Sequence, residues 1–307
     1  MPLKIAFMGT PEFAVPILKS LYKSKHILQA VFTKPPKKKN RGQKVLASPI
    51  FQFAERNNIT IRCPEEFDNT EYEFFKNLKS DIIIVVAYGK LIPKKFLDIP
   101  KCLFINIHAS LLPKWRGAAP IQRAIMNMDK ETGISIMKII PELDAGPVMK
   151  TVKTKIFTES THKDLSSELS NLACSAILDS LDLIENNKEQ YTHQDNSQAT
   201  YANKIDKDET KIQWDIDAKR IVAKINAFYP KPGSWFEMDQ MRIQVLKAVK
   251  VNKKGKPGEI IDRNFTIGCL DGAIQILELK LEGKKSMNTL NFLLGHKLEI
   301  GKILNGV

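Results

Sequence analysis

The first half of the chain alternates short apolar runs with helix-like segments, and this pattern constrains the fold more than any other feature. The clearest run, Ile82–Val86, is apolar at every position, which is typical of a central strand covered on both faces. Further strands are predicted at 4–8, 28–32, 58–61, 103–107 and 134–139. Because strands separated by helices favour a parallel sheet, we expect an α/β domain of Rossmann-like shape. Ligands of such domains lie beyond the carboxyl ends of the strands.

The pattern changes in the second half. Apolar residues recur at three- and four-residue spacing over 162–186, which predicts a long amphipathic helix, and the polar stretch after it predicts a linker. After another helix at 217–228, short strand-like runs separated by turns predict a small antiparallel barrel. These runs are 234–238, 241–251, 258–261, 266–269 and 273–281, with a last short helix at 287–294. We expect a first domain over 1–188, a linker over 189–208 and a second domain over 209–307.

Composition and missing motifs exclude several classes of protein. Among the 307 residues no apolar run approaches the roughly 18 that span a bilayer, and the N-terminus shows no signal-peptide pattern. The four cysteines stand at neither metal-ligand nor redox-pair spacing. The turn after the first strand has one glycine, Gly9, whereas a dinucleotide fingerprint needs three. We therefore expect a cytoplasmic protein that uses neither a metal nor NAD and has no membrane partner.

The charge balance favours an anionic partner. The chain carries 47 Lys and Arg against 34 Asp and Glu, a net charge of +13, and residues 209–307 account for +6 of it. Residues 34–44 form a basic segment without any acidic residue. Its cationic residues are Lys34, Lys37, Lys38, Lys39, Arg41 and Lys44. Charge alone leaves two interpretations open, a solvated lysine-rich loop and a surface that binds a polyanion.

Two polar side chains stand at the end of the strand predicted at 103–107. Asn106 and His108 are two residues apart, so on a strand they point to the same side, about 7 Å from each other. An amide can stabilise a developing oxyanion while an imidazole moves protons, and the pair therefore suits acyl transfer. A satisfied structural pair at a strand end is the alternative that this spacing leaves open.

A carboxylate follows the next predicted strand. Asp144 lies in the loop Pro141–Gly146, directly after the run at 134–139. If the two strands are neighbours in the sheet, Asp144 can reach His108 and fix the orientation of its imidazole. An ordinary turn is the alternative for a loop of this composition.

Taken together, the motifs resemble the family of formyltransferases that use 10-formyltetrahydrofolate, and the resemblance runs in order through the whole chain. In the first half it rests on Gly9–Phe13, Ala87–Pro93, Asn106-Ile-His108, Ser110–Pro113, Trp115–Gly117, Ala118–Pro120 and Leu143–Gly146. In the second half it rests on Ile225–Gly233 and Glu282–Met287, which are similar to members that formylate methionyl-initiator tRNA for translation initiation. The family resemblance implies a Rossmann-like formyltransferase domain followed by a small OB-like barrel.

The resemblance also implies a reaction and its residues. A formyl group would pass from 10-formyltetrahydrofolate to the α-amino group of the methionine, with Asn106, His108 and Asp144 as the catalytic residues. Which of His108 and Asp144 is the general base stays open. The donor pocket would be lined by Tyr88, Gly89, Ile92, Ser110, Leu111, Leu112 and Pro113. The tRNA would contact the basic segment, in which Arg41 precedes Gly42 as in the family, and the barrel. We expect the protein to be a monomer.

Other functions are compatible with parts of the pattern. Within the same chemistry, the acceptor could be an amino sugar nucleotide, or formyltetrahydrofolate could be hydrolysed, but neither explains the basic segment and the basic second domain. A formyltransferase for a purine precursor would lack residues 209–307. A non-catalytic RNA-binding module predicts basic patches without Asn106, His108 and Asp144, and a dehydrogenase predicts the missing glycines.

Overall fold

The computed structural model describes residues 1–39 and 44–304, and the chain forms two compact units. The first unit comprises residues 1–120, 132–154 and 166–202, and the second comprises 121–131, 155–165 and 203 onward. Among the described residues, none of the helices combines the length and the apolar character needed to cross a bilayer.

The first unit is built on a seven-stranded sheet with the order β10-β9-β7-β6-β1-β2-β5. The strands up to residue 202 are β1 (Lys4–Gly9), β2 (Ile27–Phe32), β3 (Lys37–Lys39), β4 (Lys44–Leu46), β5 (Thr60–Arg62), β6 (Ile82–Val86), β7 (Leu103–His108), β8 (Arg116–Gly117), β9 (Glu131–Lys138), β10 (Val148–Lys155) and β11 (Tyr201–Ala202). The five adjacent strands β5, β2, β1, β6 and β7 are parallel to one another. The predicted α/β fold is confirmed for this part of the sheet.

The other edge of the sheet departs from the sequence-based expectation. β9 runs antiparallel to β7, with His108 opposite Ser135 and Asn106 opposite Met137. The edge strand β10 was not predicted, because its half-buried residues alternate with exposed ones and give no apolar run. The antiparallel pairing matters for the site, since it places the segment after β9 beside β7 rather than at the end of a further parallel strand.

Helices alternate with the strands in this part of the chain, and two of them begin at side-chain caps. Up to residue 202 they are α1 (Val15–Tyr22), α2 (Pro49–Arg56), α3 (Asn69–Leu78), α4 (Lys94–Leu97), α5 (Pro120–Met126) and α6 (His162–Glu185). Ser48 accepts a hydrogen bond from the Phe51 amide before α2, and Asp68 accepts one from the Glu71 amide before α3, as N-caps do. The buried strand β6 lies at the centre of the core, which explains its unbroken apolar run.

The second unit contains a five-stranded antiparallel sheet that curls into half of a barrel. Its elements are α7 (Ala218–Phe228), β12 (Ser234–Met238), β13 (Met241–Val251), β14 (Thr266–Gly268), β15 (Ala273–Leu281), β16 (Ser286–Asn288) and α8 (Thr289–Gly295). The predicted strand at 258–261 is wrong, because Glu259 and Ile260 make only isolated bridges. The fifth strand is β16, which takes the first residues of the helix predicted at 287–294. Large aromatic side chains form the core beneath this sheet.

Candidate functional site

Strand β7 places Asn106 and His108 on the same face of the sheet. Four residues of β6 and four of β9 pair with β7 on its two sides, so the positions of both side chains are set by a central strand. The side chain of His108 is only 6% exposed, and Asn106 is half-buried. A buried polar side chain in the middle of a sheet needs partners, and both residues have them.

The structure brings Asp144 to both of these residues. The Asn106 Nδ2 donates to Asp144 Oδ1 over 3.3 Å, and His108 Nδ1 lies 3.5 Å from Asp144 Oδ2. The backbone N–H of Gly117 also donates to Oδ2, over 2.8 Å. Asp144 has a left-handed backbone conformation (φ 47°), which few non-glycine residues adopt. This conformation directs its carboxylate toward β7. Asn106 and His108 are therefore both in contact with Asp144.

The contact made by His108 Nε2 determines the tautomer of the imidazole ring. His108 Nε2 lies 2.8 Å from the carbonyl oxygen of Trp115. A carbonyl oxygen can only accept, so Nε2 carries a hydrogen and Nδ1 is the nitrogen that faces the carboxylate. A proton exchanged between His108 and Asp144 would therefore travel through Nδ1.

The segment after β7 turns sharply, and internal hydrogen bonds hold it. The Ser110 hydroxyl donates to the Lys114 carbonyl over 2.6 Å, and Ser135 of β9 bridges the Ser110 carbonyl and the Leu112 amide. Ser110 is fully buried, whereas Leu111, Leu112 and Pro113 are half-buried. The hydroxyl of Ser110 thus shapes the turn, and the apolar side chains beside it offer surface to a ligand.

The loop after β6 lies at the same edge of the sheet, since β6 and β7 are parallel neighbours. Gly89 is exposed, and Ile92 is half-buried against the aromatic core. Tyr88, by contrast, is buried, and its hydroxyl has no hydrogen-bond partner among the described residues; burial raises its pKa to about 12. The phenol ring of Tyr88 therefore packs in the core. The residues of this loop that are accessible to a ligand are those on either side of Tyr88 in the chain.

The predicted basic segment is only partly described. A Cβ on Gly89 would collide with the Lys34 ammonium group, so Lys34 lies against the loop after β6. Lys37, Lys38 and Lys39 form β3, which pairs antiparallel with β4, where Lys44 is the first residue. The segment was expected to be a loop, and this pair of strands corrects that. Arg41 lies outside the described residues.

One group of described side chains could hold a metal ion. His26, Asp182 and Glu185 offer ligand atoms within 4.8 Å of one another. The ammonium group of Lys25 lies 2.8 Å from Asp182 and 2.7 Å from Glu185, so cations of the protein already neutralise both carboxylates. This group belongs to the packing of α6 and takes no part in the contacts of Asp144.

Comparison with known proteins shows to which family the chain belongs. A family model described as formyl transferase matches residues 3–181, and one described as the C-terminal domain of formyl transferase matches 204–297. A methionyl-tRNA formyltransferase of Pelagibacter ubique is 48% identical over 310 residues, and the match covers 100% of each chain. The chain belongs to the methionyl-tRNA formyltransferase family. It is therefore an enzyme that transfers formyl groups.

Solved structures show the same fold at low identity. A sugar 3N-formyl transferase, WlaRD, solved with dTDP and 5-N-formyl-THF, has a TM-score of 0.68 and 22% identity, covering 93% of this chain and 100% of that one. HypX from Aquifex aeolicus has a TM-score of 0.68 and 18% identity, with 95% of this chain covered. The present chain spans about half of the length of HypX, 49%.

The contacts that support His108 and Asp144 were not predicted from the sequence, although Trp115–Gly117 was among the motifs quoted for the resemblance. Trp115 and Gly117 act through backbone atoms, which leave no signal in side-chain identity. Arg116 donates to Gln194, and Gln194 donates to the backbone carbonyl of Asp144. Gln194 lies in the polar stretch predicted as a linker. Aperiodic polar sequence is equally typical of a linker and of a segment held by hydrogen bonds, so no pattern separates the two.

Proposed function

We propose that this chain transfers the formyl group of 10-formyltetrahydrofolate to the α-amino group of methionyl-initiator tRNA, which gives the formylated tRNA used to start translation. The observation that carries the proposal is the 48% identity, over the full length of both chains, to a methionyl-tRNA formyltransferase. The contacts of Asn106, His108 and Asp144 supply groups that suit this reaction.

The chemistry requires a proton acceptor for the attacking amine and hydrogen-bond donors for the formyl oxygen. The Asn106 amide carries two hydrogens, and its donation to Asp144 leaves the second for a substrate oxygen. One such donor typically contributes about 3–4 kcal/mol to a transition state. Asp144 and His108 Nδ1, 3.5 Å apart, form a path along which a proton taken from the amine can move. We assign catalysis to these three residues.

The donor pocket is assigned to the two loops at the carboxyl ends of β6 and β7. Gly89, Ile92 and the half-buried Leu111, Leu112 and Pro113 present backbone and apolar surface at one edge of the sheet, which fits a flat heteroaromatic ring. Ser110 and Tyr88 shape these loops from inside the protein. When bound, the folate supplies an already activated formyl group, so the residues of the chain need only orient it and handle protons.

The basic segment at 34–44 and the second unit are assigned to the tRNA. Lysine and arginine residues without acidic neighbours attract phosphates, and the second domain of 209–307 carries +6. We assign catalysis to a domain over 1–188 and tRNA binding to a domain over 209–307, with residues 189–208 as the linker between them. Formylation of initiator tRNA belongs in the cytoplasm, and we propose that the protein acts there as a monomer without a metal or NAD.

The assay that tests the proposal offers rival acceptors to the purified protein with 10-formyltetrahydrofolate. The acceptors are methionyl-tRNA and a dTDP-amino sugar, the second because sugar formyltransferases share the fold. Formylated methionyl-tRNA with no formylated sugar is expected. Formylation of the sugar alone, or release of formate without transfer, would contradict the proposed acceptor.

A second assay tests the basic segment. Replacing Arg41 with Ala should raise the KM for methionyl-tRNA severalfold, because one cation of the acid-free segment is lost. The KM for the folate donor should stay unchanged. Unaltered kinetics with tRNA in this variant would contradict the role of the segment.

A further inference from the structure

Arg116 is a buried cation for which the described part of the chain offers no carboxylate partner. It is 4% exposed, and no ion pair joins it to an acidic side chain within residues 1–39 and 44–304. Its guanidinium group donates instead to neutral amide oxygens: Nε and Nη2 reach Gln194 Oε1 over 3.1 and 2.8 Å, and Nη2 reaches Asn196 Oδ1 over 2.7 Å. A buried guanidinium is costly to desolvate, so its hydrogen bonds have to be in place for the fold to keep it.

These hydrogen bonds determine which way the Gln194 amide points. Guanidinium nitrogens can only donate, so the atom of Gln194 that faces Arg116 is the oxygen. The Nε2 of Gln194 therefore faces the opposite side, where it donates to the carbonyl oxygens of Asp144, over 2.9 Å, and of Gly146, over 2.7 Å. Both hydrogens of the amide are used on the turn that carries Asp144.

The turn from Asp144 to Gly146 needs this support. Asp144 has a φ of 47°, a conformation that costs an ordinary residue on the order of 1 kcal/mol, so it persists only where its surroundings hold it. At Gly146 a Cβ would overlap the carbonyl oxygen of Lys138, so the turn is pressed against the end of β9. Gln194 bridges the two ends of the turn and so fixes the direction of the Asp144 carboxylate.

The same polar segment also holds the other backbone groups of the site. The Thr200 carbonyl accepts from the Arg116 amide over 2.9 Å, and the Thr200 hydroxyl accepts from the Trp115 amide over 2.9 Å. Strand β11 pairs with β8, in register with Gly117. Thr200 and β11 therefore position both the Trp115 carbonyl that meets His108 and the Gly117 amide that meets Asp144.

We propose that Gln194, oriented by the buried guanidinium group of Arg116, is a positioning residue that keeps the Asp144 carboxylate in contact with Asn106 and His108. The inference rests on the proposed function for its kinetic consequence, because a carboxylate that drifts from His108 cannot serve in proton transfer. Gln194, Thr200 and strand β11 are on this view part of the catalytic framework.

The test replaces Gln194 with Glu. This variant keeps the two acceptor contacts with Arg116 but loses both donations to the turn and places a carboxylate against two carbonyl oxygens. We expect kcat to fall about 10- to 100-fold, the range typical of residues that orient a catalytic group, with KM for both substrates within twofold. Gln194→Ala removes the donors without adding charge and leaves Asn196 Oδ1 as an acceptor for Arg116. It should lower kcat at least as much, and it supplies a second variant if the first does not fold.

Two comparisons separate positioning from a general structural defect. Gln198, an exposed amide of the same segment that donates to Asp195, supplies matched controls, and Gln198→Glu and Gln198→Ala should keep the parent kcat. In the background of Asp144→Asn, Gln194→Ala should change kcat less than twofold, because the group it positions is already inactive. A kcat within twofold of the parent in both Gln194 variants, or an equal loss in the Asp144→Asn background, would overturn the proposal.

A measurement that does not depend on turnover tests this inference separately from the proposed function. Hydrogen exchange of the Gly117 amide, which donates to Asp144 Oδ2, should accelerate at least tenfold in Gln194→Glu and stay unchanged in Gln198→Glu. If the parent formylates no tRNA but the Gly117 amide responds, the function is wrong and the positioning stands. If the parent is active and the exchange does not change, the positioning is wrong.

Discussion

The candidate site in the first unit and the core of the second unit are held together by different forces. Around Asp144 the contacts are hydrogen bonds between polar groups, several of them from the main chain, and the backbone adopts a left-handed conformation. In the second unit, Trp214, Phe236 and Phe265 pack edge to face with centroids 5.4 and 6.1 Å apart, and all three are buried. Apolar packing tolerates small displacements, whereas directed hydrogen bonds do not.

This difference predicts that substitutions in the two regions change different measured quantities. Loss of a polar group at the site should lower kcat and leave the free energy of unfolding nearly unchanged. Loss of an aromatic ring from the second unit should lower the free energy of unfolding, because apolar burial is the main stabilising contribution there. The predictions below test this separation.

The largest effect is expected at Asp144. Asp144→Asn keeps the size of the side chain and tolerates the left-handed backbone, but it can no longer accept a proton. We expect kcat to fall about 10³- to 10⁴-fold, roughly 4–5.5 kcal/mol of transition-state stabilisation, while Tm changes by less than about 3 °C. Single-turnover formylation and thermal unfolding measure the two quantities. A kcat within tenfold of the parent would show that the carboxylate has no direct part in the reaction.

The second effect is expected in the aromatic core of the second unit. Phe236 is fully buried, and Phe236→Ala should lower the free energy of unfolding by about 3–4 kcal/mol through lost burial and the cavity that remains. Urea unfolding, followed by the fluorescence of the neighbouring Trp214, measures it. Phe157→Ala is the control, since that ring is 59% exposed and its loss should cost less than about 0.5 kcal/mol. Similar values for both variants would contradict the packing described.

The same contrast explains how much of the molecule could be predicted from the sequence. Elements with unbroken or periodic apolar patterns were located within a few residues: β6, β12 and β15 match their predicted bounds, and α6 ends at Glu185 against a predicted 186. Periodicity reports burial, and burial is what forms these elements. The strand predicted at 258–261 failed because a short apolar run does not show whether a partner strand is available.

The site was predictable in its polar side chains and not in what holds them. Asn106 and His108 share a face because strands have a period of two, and Asp144 was placed by resemblance and by a neighbouring strand. The antiparallel direction of β9 carried no sequence signal, since strand direction depends on the connection. The support from Gln194 and from the backbone of residues 115–117 could not be predicted, because hydrogen bonds between distant segments leave no periodic pattern.

A polar contact in the second unit allows a more direct comparison with the site. Arg123 donates to both oxygens of Glu209, over 2.5 and 2.9 Å, at partly exposed positions. Glu209→Gln should lower the free energy of unfolding at pH 7 by about 1–2 kcal/mol without the kinetic loss expected at Asp144. Glu237→Gln, at an exposed position of β12, is the control, and equal stability of the two variants would contradict a role for the pair.

The pH dependence of that contact has a defined sign. The hydrogen bonds from Arg123 lower the pKa of Glu209 below its ordinary value of 4.5. The contribution of the pair is therefore complete above pH 4.5 and is lost as the pH falls through the lower, folded-state value. The difference in unfolding free energy between the parent and Glu209→Gln should shrink from pH 7 to pH 3. A difference that stays constant over this range would rule out the ionised pair as its origin.

The smallest effect is expected at a buried histidine of the first unit, which tests whether polar groups away from the site matter for stability alone. His26 is 8% exposed, and its Nδ1 accepts from the Leu3 amide over 3.2 Å. Burial lowers its pKa from 6.5, and Lys25 and the N-terminus act in the same direction, while Glu185 and Asp182 oppose them. The unfolded chain then binds more protons near pH 6, so the stability contributed by neutral His26 is present above pH 6.5 and declines as the pH falls.

We expect the free energy of unfolding of the parent to fall by less than about 1 kcal/mol between pH 7.5 and 6. The kcat of His26→Asn at fixed pH should equal that of the parent. His26→Asn should reduce this slope, whereas His193→Asn, at an exposed position, should keep it. An unchanged slope in His26→Asn would assign the pH dependence to another group.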